Sequence, residues 1–191
     1  MRVTRHPYEI EGWGVGELWV GDGTVVVAHD PPVPAARLAP GVSGPSGPIT
    51  PETPPRGTRG VPTETLAHEP TQESNGFVPE LLQRLHSYFS GRPVSFADVP
   101  LEAEWGTDFQ AALAYALRRV PWGDVVSYGE LSRLAGRARA ARAAGSFCAG
   151  NRFAIFLPCH RVVSAAGLGG YGGLGLGYKR RLLALEGHGA L

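Results

Sequence analysis

The stretch SYGELSRLAGRARAARAAG, residues 127–145, decides the fold of the C-terminal half of this chain. Ser127 and Glu130 have the spacing of a capping box, in which each side chain satisfies a backbone N–H at the helix start. Gly136 ends that short helix, and the alanine-rich segment 137–145 predicts a second helix directly after it. Two short helices joined by a glycine-containing turn indicate a helix-turn-helix.

The second of these predicted helices is thin and basic. The residues that would line a nucleic-acid contact are small or basic: Ala140, Ala141, Gly145, Arg137, Arg139 and Arg142. Alanine favours helices in general, so this segment can simply be a stable helix. A thin helix that carries arginines also fits a narrow DNA groove, where arginine is the preferred side chain. The residues alone leave both interpretations open.

Two further helices are predicted upstream of this stretch. Thr107 and Gln110 form a second capping box, and Pro121 ends the helix that follows them. Residues 77–91 carry apolar side chains at helical spacing and close with a glycine. We place a domain boundary near residue 100, between these two helices.

The N-terminal region contains a predicted β-hairpin over residues 15–29. Two runs rich in β-branched residues flank Asp22-Gly23, a strong tight-turn signal. Residues 31–70 then hold eleven prolines and five glycines, a composition typical of irregular chain. The predicted organisation is an N-terminal domain over residues 1–100, with a Pro/Gly-rich insertion at about 31–76, and a C-terminal domain over 101–191.

The composition is that of a globular protein of a reducing compartment. The chain has 191 residues, of which 43% are hydrophobic, enough for one core or two small ones. It has no run of eighteen apolar residues, and its N-terminus lacks the apolar stretch of a signal peptide. With only Cys148 and Cys159, a disulfide framework is not expected. We therefore expect a cytoplasmic protein with no membrane association.

Charge is distributed unevenly along the chain. From Trp105 onward there are eleven basic and four acidic residues, a net charge of +7, while the first 104 residues carry −6. A basic half suggests contact with a polyanion. Charge alone would still favour an ordinary solvated surface.

The stretch LPCHRVV, residues 157–163, raises the question of what Cys159 does. A metal site is not expected, because no histidine or cysteine pair has ligand spacing. A nucleophilic thiol needs a base or a positive environment, and His160 is adjacent. On a regular strand, however, neighbouring side chains point to opposite faces, so contact between them needs a bend near Pro158. A buried inert thiol is the more common outcome for such a dipeptide.

A wider set of motifs favours a nucleophilic Cys159 over an inert one. From about Val99 to the end, the chain carries in order VPLE, GTDFQAAL, VPWGDVVSYGELSRLAG, AARAAG, GN, PCHRVV, GYGG and KRRLLALEG. This part resembles the O6-alkylguanine-DNA alkyltransferases, the methylated-DNA–protein-cysteine methyltransferases. The resemblance implies a mixed α/β (α+β) fold. A small ribonuclease H-like domain of sheet and helix would precede a mainly helical, winged-helix-like domain with a DNA-binding helix-turn-helix and the active site.

The resemblance also implies roles for individual residues. Cys159 would accept the alkyl group, and His160 would deprotonate it through a water while Glu186 orients the imidazole. Asn151 would hold the turn between the recognition helix and the active-site strand. Tyr128 would press on the target phosphate, help rotate the nucleotide and supply a proton to the leaving base.

Further residues would contact DNA or the base. Arg142 would fill the space that an extruded nucleotide leaves in the stack. The carbonyl of Val162 and the backbone near Tyr171 would read the extruded base, with Lys179 near the pocket mouth.

The implied activity is DNA repair by a direct, stoichiometric alkyl transfer after base flipping. The substrate would be O6-alkylguanine, with O4-alkylthymine as a second candidate, and the thioether product would make the reaction irreversible. The implied partner is double-stranded DNA carrying the lesion, and a monomer without cofactor or metal is expected. The alternatives are a non-catalytic lesion sensor, a helix-turn-helix regulator and a cysteine hydrolase. The intact Cys159 disfavours the sensor.

Three positions depart from the family pattern. Arg152 follows Asn151 where relatives usually have proline, which could loosen the turn or add a phosphate contact. Tyr171 stands one place farther from Lys179 than expected, so the pocket loop could differ. Cys148 is interpreted as a packing residue.

Overall fold

The computed structural model describes residues 1–34 and 76–189, and it has the mixed α/β fold that the sequence predicted. The chain divides into two compact units. The first comprises Met1–Val94 and Val99–Ala103, and the second comprises Ser95–Asp98 and Glu104–Leu191.

A three-stranded antiparallel sheet forms the first unit, in the order β1 (Val3–Ile10), β2 (Gly14–Gly21), β3 (Val25–Val33). The predicted hairpin is confirmed as β2 and β3. Asp22 and Gly23 both have positive φ, 46° and 69°, and the Thr24 N–H donates to the Gly21 carbonyl at 3.0 Å, as in a type I′ turn.

Two features of this sheet differ from the sequence prediction. Strand β1 was missed because Pro7 interrupts its pattern, and an edge strand tolerates a proline. Strand β3 continues to Val33, so residues 31–33 belong to the sheet and their assignment to the insertion is wrong. Most of the predicted insertion, residues 35–75, lies outside the described residues.

The helix predicted near residue 77 is α1 (Phe77–Phe89), which packs on this sheet. Its Leu81 and Leu85 are fully buried. The ring of Phe89 lies 5.0 Å from that of Trp13, which follows β1. One face of the helix therefore completes the core of the first unit.

The second unit is mainly helical. It contains α2 (Asp108–Arg118), β4 (Val126–Ser127), α3 (Tyr128–Leu134), α4 (Ala141–Ala149), β5 (Val162–Val163) and α5 (Gly175–Leu185). Strands β4 and β5 pair in parallel. The buried residues Leu113, Leu131, Ala144 and Leu182 come from α2, α3, α4 and α5 in turn. Each of the four helices thus buries apolar side chains, and α2, α3 and α4 pack against one another.

The predicted capping box is complete at the start of α3, whereas the start of α2 has only the Thr107 half of it. The Thr107 hydroxyl accepts the Gln110 N–H at 3.2 Å. The Ser127 hydroxyl accepts the Glu130 N–H, and the Glu130 carboxylate accepts the Ser127 N–H at 2.7 Å. The start of α3 is therefore fixed by local sequence.

The predicted second helix of the helix-turn-helix starts later than expected. Residues 137–140 form a turn, and α4 begins at Ala141, so the placement of Arg137 and Arg139 on this helix is wrong. Arg139 has φ of +69°, outside the helical region. The helix gains residues 146–149 at its other end.

Within the described residues, no helix is long and apolar enough to cross a membrane.

Candidate active site around Cys159

Cys159 begins one turn of 3-10 helix, Cys159–Arg161, directly after Pro158. Only 7% of the residue is exposed. Because this backbone is a helical turn, the alternation that would separate Cys159 from His160 on a strand does not apply. The bend that the sequence allowed at Pro158 is present.

Asn151 joins the end of α4 to this cysteine. Its side-chain Nδ2 donates to Cys159 Sγ at 3.0 Å and to the Leu157 carbonyl at 2.8 Å. Its Oδ1 accepts the Phe153 N–H at 2.9 Å. Three hydrogen bonds from one amide therefore set the turn and the thiol together.

The thiol is held in its protonated form in the resting site. Burial raises the pKa of Cys159, while the Asn151 hydrogen bond and the charge of Lys179 act in the opposite direction. Only the thiolate is an effective nucleophile. A reaction at Cys159 therefore needs a base.

His160 forms a buried pair with Glu186, which follows α5. The His160 Nε2 and Glu186 Oε1 atoms lie 2.9 Å apart, and neither side chain is exposed. Arg161 binds the same carboxylate with two nitrogens, Nε at 2.8 Å and Nη2 at 2.9 Å. Its Nη1 donates to the Val120 carbonyl at 2.7 Å. Glu186 is thus shared between an imidazole and a guanidinium.

This arrangement defines the proton positions. Burial lowers the pKa of His160, so the ring is neutral near pH 7. Burial acts to raise the pKa of Glu186, but hydrogen bonds from His160 and Arg161 outweigh it and lower that pKa to about 2. A neutral ring that donates Nε2–H to a carboxylate keeps its lone pair on Nδ1. His160 is therefore arranged as a base at Nδ1.

Lys179 is fully buried on α5, and three backbone carbonyls surround its ammonium. Nζ donates to Val162 at 2.5 Å, to Leu168 at 2.6 Å and to Gly170 at 3.2 Å. The lysine thus ties β5 to the glycine-rich loop that follows it, residues 164–174. The Val162 carbonyl, predicted to read a base, accepts from Lys179 here.

Tyr128 starts α3 and lies between α4 and the glycine-rich loop. A Cβ on Gly145 would stand 3.9 Å from its ring, and a Cβ on Gly169 would stand 3.0 Å from Cε2. Burial raises the pKa of Tyr128, while a hydrogen bond from the Gly170 backbone lowers it. The phenol therefore keeps its proton at neutral pH, as a proton donor must.

Tyr171 is buried in the same loop. Its ring is perpendicular to that of His160, with centroids 6.4 Å apart. It also stacks on Tyr178 of α5, at 6.3 Å and an interplanar angle of 7°.

The predicted DNA-binding arginines lie in different settings. Arg142 is exposed in the first turn of α4, and Arg139 is exposed in the turn before it. The Arg137 guanidinium lies 4.8 Å from the centre of the Phe109 ring. Arg137 therefore has an intramolecular contact that would compete with DNA.

Comparisons with known proteins identify the family. The family described as "6-O-methylguanine DNA methyltransferase, DNA binding domain" matches residues 108–188. A methylated-DNA–protein-cysteine methyltransferase of Mycobacterium leprae is 44% identical over 115 residues, which span 60% of this chain and 68% of that protein. This chain belongs to the methylated-DNA–protein-cysteine methyltransferase family. The resemblance drawn from the motifs is confirmed.

Two further members of the family match over more of their length. The protein from Methanopyrus kandleri is 42% identical over 125 residues, spanning 64% of this chain and 92% of its own. The crystal structure of Mycobacterium tuberculosis OGT in complex with DNA has a TM-score of 0.68 and 31% identity, covering 96% of this chain and 93% of that one.

The structure brings the five residues predicted for the chemistry into one unit, and it adds one that sequence reasoning missed. Arg161 lies inside the quoted PCHRVV motif but received no role, because its carboxylate partner is 25 residues away. A buried arginine needs a partner. An arginine within a predicted buried motif therefore indicates an acidic partner, and this was the sequence signal for the role of Arg161.

The departures from the family pattern have structural settings. The Arg152 guanidinium lies 4.9 Å from the Phe153 ring. The Phe153 N–H donates to Asn151, so this turn forms with arginine in place of the expected proline. Cys148 is half-buried on α4, and burial raises the pKa of its thiol to about 12. Among the described residues, no group of three or more His, Cys, Asp or Glu could hold a metal ion.

Proposed function

We propose that this chain repairs DNA by transferring the alkyl group of O6-alkylguanine to Cys159 in one irreversible turnover. The observation that carries the proposal is the buried Cys159 thiol, hydrogen-bonded to Asn151 and followed directly by a His160–Glu186 pair. Family membership supports the same reaction. O4-alkylthymine is proposed as a second substrate on the same chemistry.

Proton removal would precede or accompany attack. The Cys159 proton passes through a water to Nδ1 of His160, and the Glu186 carboxylate stabilises the imidazolium that forms. Lys179 places a positive charge near the thiolate, which lowers its free energy. The negative charge of Glu186 thus stabilises the protonated base, and the positive charge of Lys179 stabilises the thiolate.

The bond changes balance without a cofactor. Sγ forms a bond to the alkyl carbon while the bond from that carbon to O6 breaks, and the leaving guanine takes a proton. We assign that proton to Tyr128, whose phenol is protonated at neutral pH. The thioether has no hydrolysable bond, so each molecule acts once.

The target base must leave the duplex to reach a buried thiol. The helix-turn-helix of α3 and α4 would bind the DNA, with Arg142 entering the space left by the base. The small residues Ala140, Ala141 and Gly145 would permit close approach. We assign the DNA-binding and alkyl-transfer domain to residues 101–191 and the variable domain to 1–100.

A monomer in a reducing cytosol is the proposed state. Cys148 and Cys159 are both free thiols, which such a compartment preserves. Oxidation of Cys159 would remove the alkyl acceptor.

Intact-mass measurement tests the proposed reaction. The wild-type chain, incubated with duplex DNA that carries O6-methylguanine, should gain one methyl group in place of the thiol hydrogen. Cys159→Ala should gain none, whereas Cys148→Ala should gain one. A wild type that binds the lesion tightly but gains no mass would instead indicate a lesion sensor. Equal gain by Cys159→Ala would exclude Cys159 as acceptor.

A further inference from the structure

Tyr178 belongs to an aromatic ladder formed by His160, Tyr171 and Tyr178. The two tyrosine rings are nearly parallel, 7° apart in orientation, and the His160 ring stands edge-on to Tyr171. Each tyrosine is 7% exposed. Stacked aromatic pairs attract each other beyond the burial of their area, so this contact restricts the rotation of Tyr171.

The loop that carries Tyr171 leads into α5 through several glycines with unusual backbone angles. Gly169, Gly172 and Gly175 all have positive φ, between 44° and 77°. Glycine reaches this region without steric cost but has the greatest freedom to leave it. Locally, the Gly175 N–H donates to the Tyr171 carbonyl at 3.2 Å, which holds the backbone after Tyr171. The Tyr171 ring and the backbone before it are held by contacts from other elements.

Helix α5 supplies those contacts from two adjacent residues. Lys179 binds the carbonyls of Leu168 and Gly170, which fixes the backbone just before Tyr171. Tyr178 stacks on the Tyr171 side chain itself. One residue of the helix thus holds the loop backbone, and its neighbour holds the ring.

We propose that Tyr178 is a positioning residue for substrate binding, which sets the pocket wall by fixing Tyr171. The inference rests on the proposed function and on the predicted role of Tyr171 in receiving the extruded base. Tyr178 takes no part in the hydrogen bonds that join Asn151 to Cys159 or His160 to Glu186. Loss of its ring should therefore weaken substrate binding and spare the transfer step.

Saturation kinetics with free O6-benzylguanine separate the two effects. For Tyr178→Leu we expect a half-saturation concentration raised about fivefold to tenfold, with a maximal rate constant within about twofold of wild type. Tyr178→Phe keeps the ring and should restore wild-type values. Phe96→Leu removes another buried aromatic ring of the same unit and controls for lost stability.

A double-mutant cycle tests whether Tyr178 acts through Tyr171. In a Tyr171→Ala background, Tyr178→Leu should change the half-saturation concentration by less than about twofold, because contacting residues are non-additive. An equal loss in both backgrounds would overturn the inference. If Tyr178→Leu does not fold, Tyr178→Met fills the space with a flexible apolar chain and takes its place.

The same assay distinguishes this inference from the proposed function. A wild type that transfers no benzyl group to Cys159 would defeat the proposed function. A wild type that transfers it, with Tyr178→Leu unchanged in half-saturation or changed only in maximal rate, would defeat the role of Tyr178 alone.

Discussion

At the scale of single residues, the reactivity of Cys159 depends on groups that oppose its burial. Desolvation disfavours the thiolate, and one amide hydrogen bond and one ammonium favour it. Such a balance keeps the thiol unreactive until a base removes its proton. The chain therefore combines a protected resting nucleophile with a neutral imidazole whose partner carboxylate is already ionised.

The Asn151 hydrogen bond gives the first prediction. Asn151→Asp keeps an acceptor for the Phe153 N–H but replaces the donor to Sγ with a carboxylate oxygen. Because that donor lowers the pKa of Cys159, its loss should raise the pKa further. We expect alkyl transfer at pH 7 to fall about 100-fold and to recover only at higher pH.

The measurement is the rate of benzyl transfer to Cys159 between pH 6 and pH 10, with thiolate formation followed by ultraviolet absorbance. Gln110→Glu makes the same amide-to-carboxylate change at an exposed site on α2 and should leave the profile unchanged. A wild-type pH profile in Asn151→Asp would show that this amide only shapes the turn.

At the scale of elements, the first turn of α4 leaves Arg142 exposed to solvent, and this determines what Arg142 can do. We expect Arg142→Ala to slow repair of duplex DNA about tenfold while changing the rate with free O6-benzylguanine by less than about twofold. The free base needs no extrusion, so an arginine that fills the vacated stack is irrelevant to it.

Parallel rate measurements on the two substrates check this prediction. Arg92→Ala removes the same charge from an exposed site in the first unit and should affect neither rate. Equal losses on both substrates would assign Arg142 a structural role.

The glycine-rich loop gives a prediction from two adjacent glycines. Gly169 has φ of +72°, and a Cβ there would stand 3.0 Å from the Tyr128 ring and 3.2 Å from the Ser164 nitrogen. Gly170 has open space around such a Cβ. We expect Gly169→Ala to cost about 1–2 kcal/mol of unfolding free energy and to displace Tyr128, slowing transfer, whereas Gly170→Ala should be nearly neutral.

Denaturant unfolding and transfer rates measured on both variants check this. If Gly170→Ala is as damaging as Gly169→Ala, the loop is sensitive to any side chain, and the close approach to Tyr128 is not the cause.

At the scale of the whole molecule, the helical unit was the more predictable part. Capping side chains mark the starts of α2 and α3 within four residues of sequence, and the motifs gave the site residues their expected roles. The late start of α4 was not predictable, because it depends on Arg139 adopting a positive φ. The partner of Arg161 depends on tertiary contacts that no local pattern encodes.

The first unit was less predictable because its sheet carries unusual residues. A proline lies inside β1, and two more lie inside β3. Glu17 and Asp30 are directly opposite each other on β2 and β3, although like charges in that position are unfavourable. Arg5 forms an ion pair with Glu17, and burial raises the pKa of Asp30.

The burial of Asp30 beside Glu17 makes the stability of the first unit depend on pH. Burial, together with the Glu17 carboxylate, raises the pKa of Asp30 from 3.8 to about 6. Because this pKa is higher in the folded chain, the stabilisation from protonation is fully present below pH 3.8 and is lost as the pH rises through about 6. We expect the unfolding free energy of Asp30→Asn, relative to wild type, to increase by about 2 kcal/mol from pH 4 to pH 8.

Calorimetric unfolding across that pH range checks the prediction, with Glu9→Gln as an exposed carboxyl control on β1. The control removes an exposed carboxyl from the same sheet and should not reproduce the pH-dependent difference expected for Asp30→Asn. The residues proposed for alkyl transfer lie in the other unit, so benzyl transfer to Cys159 by Asp30→Asn should stay at the wild-type rate. If Asp30→Asn instead parallels wild type throughout, the Asp30 carboxyl is solvated in the folded chain and its opposition to Glu17 costs no stability.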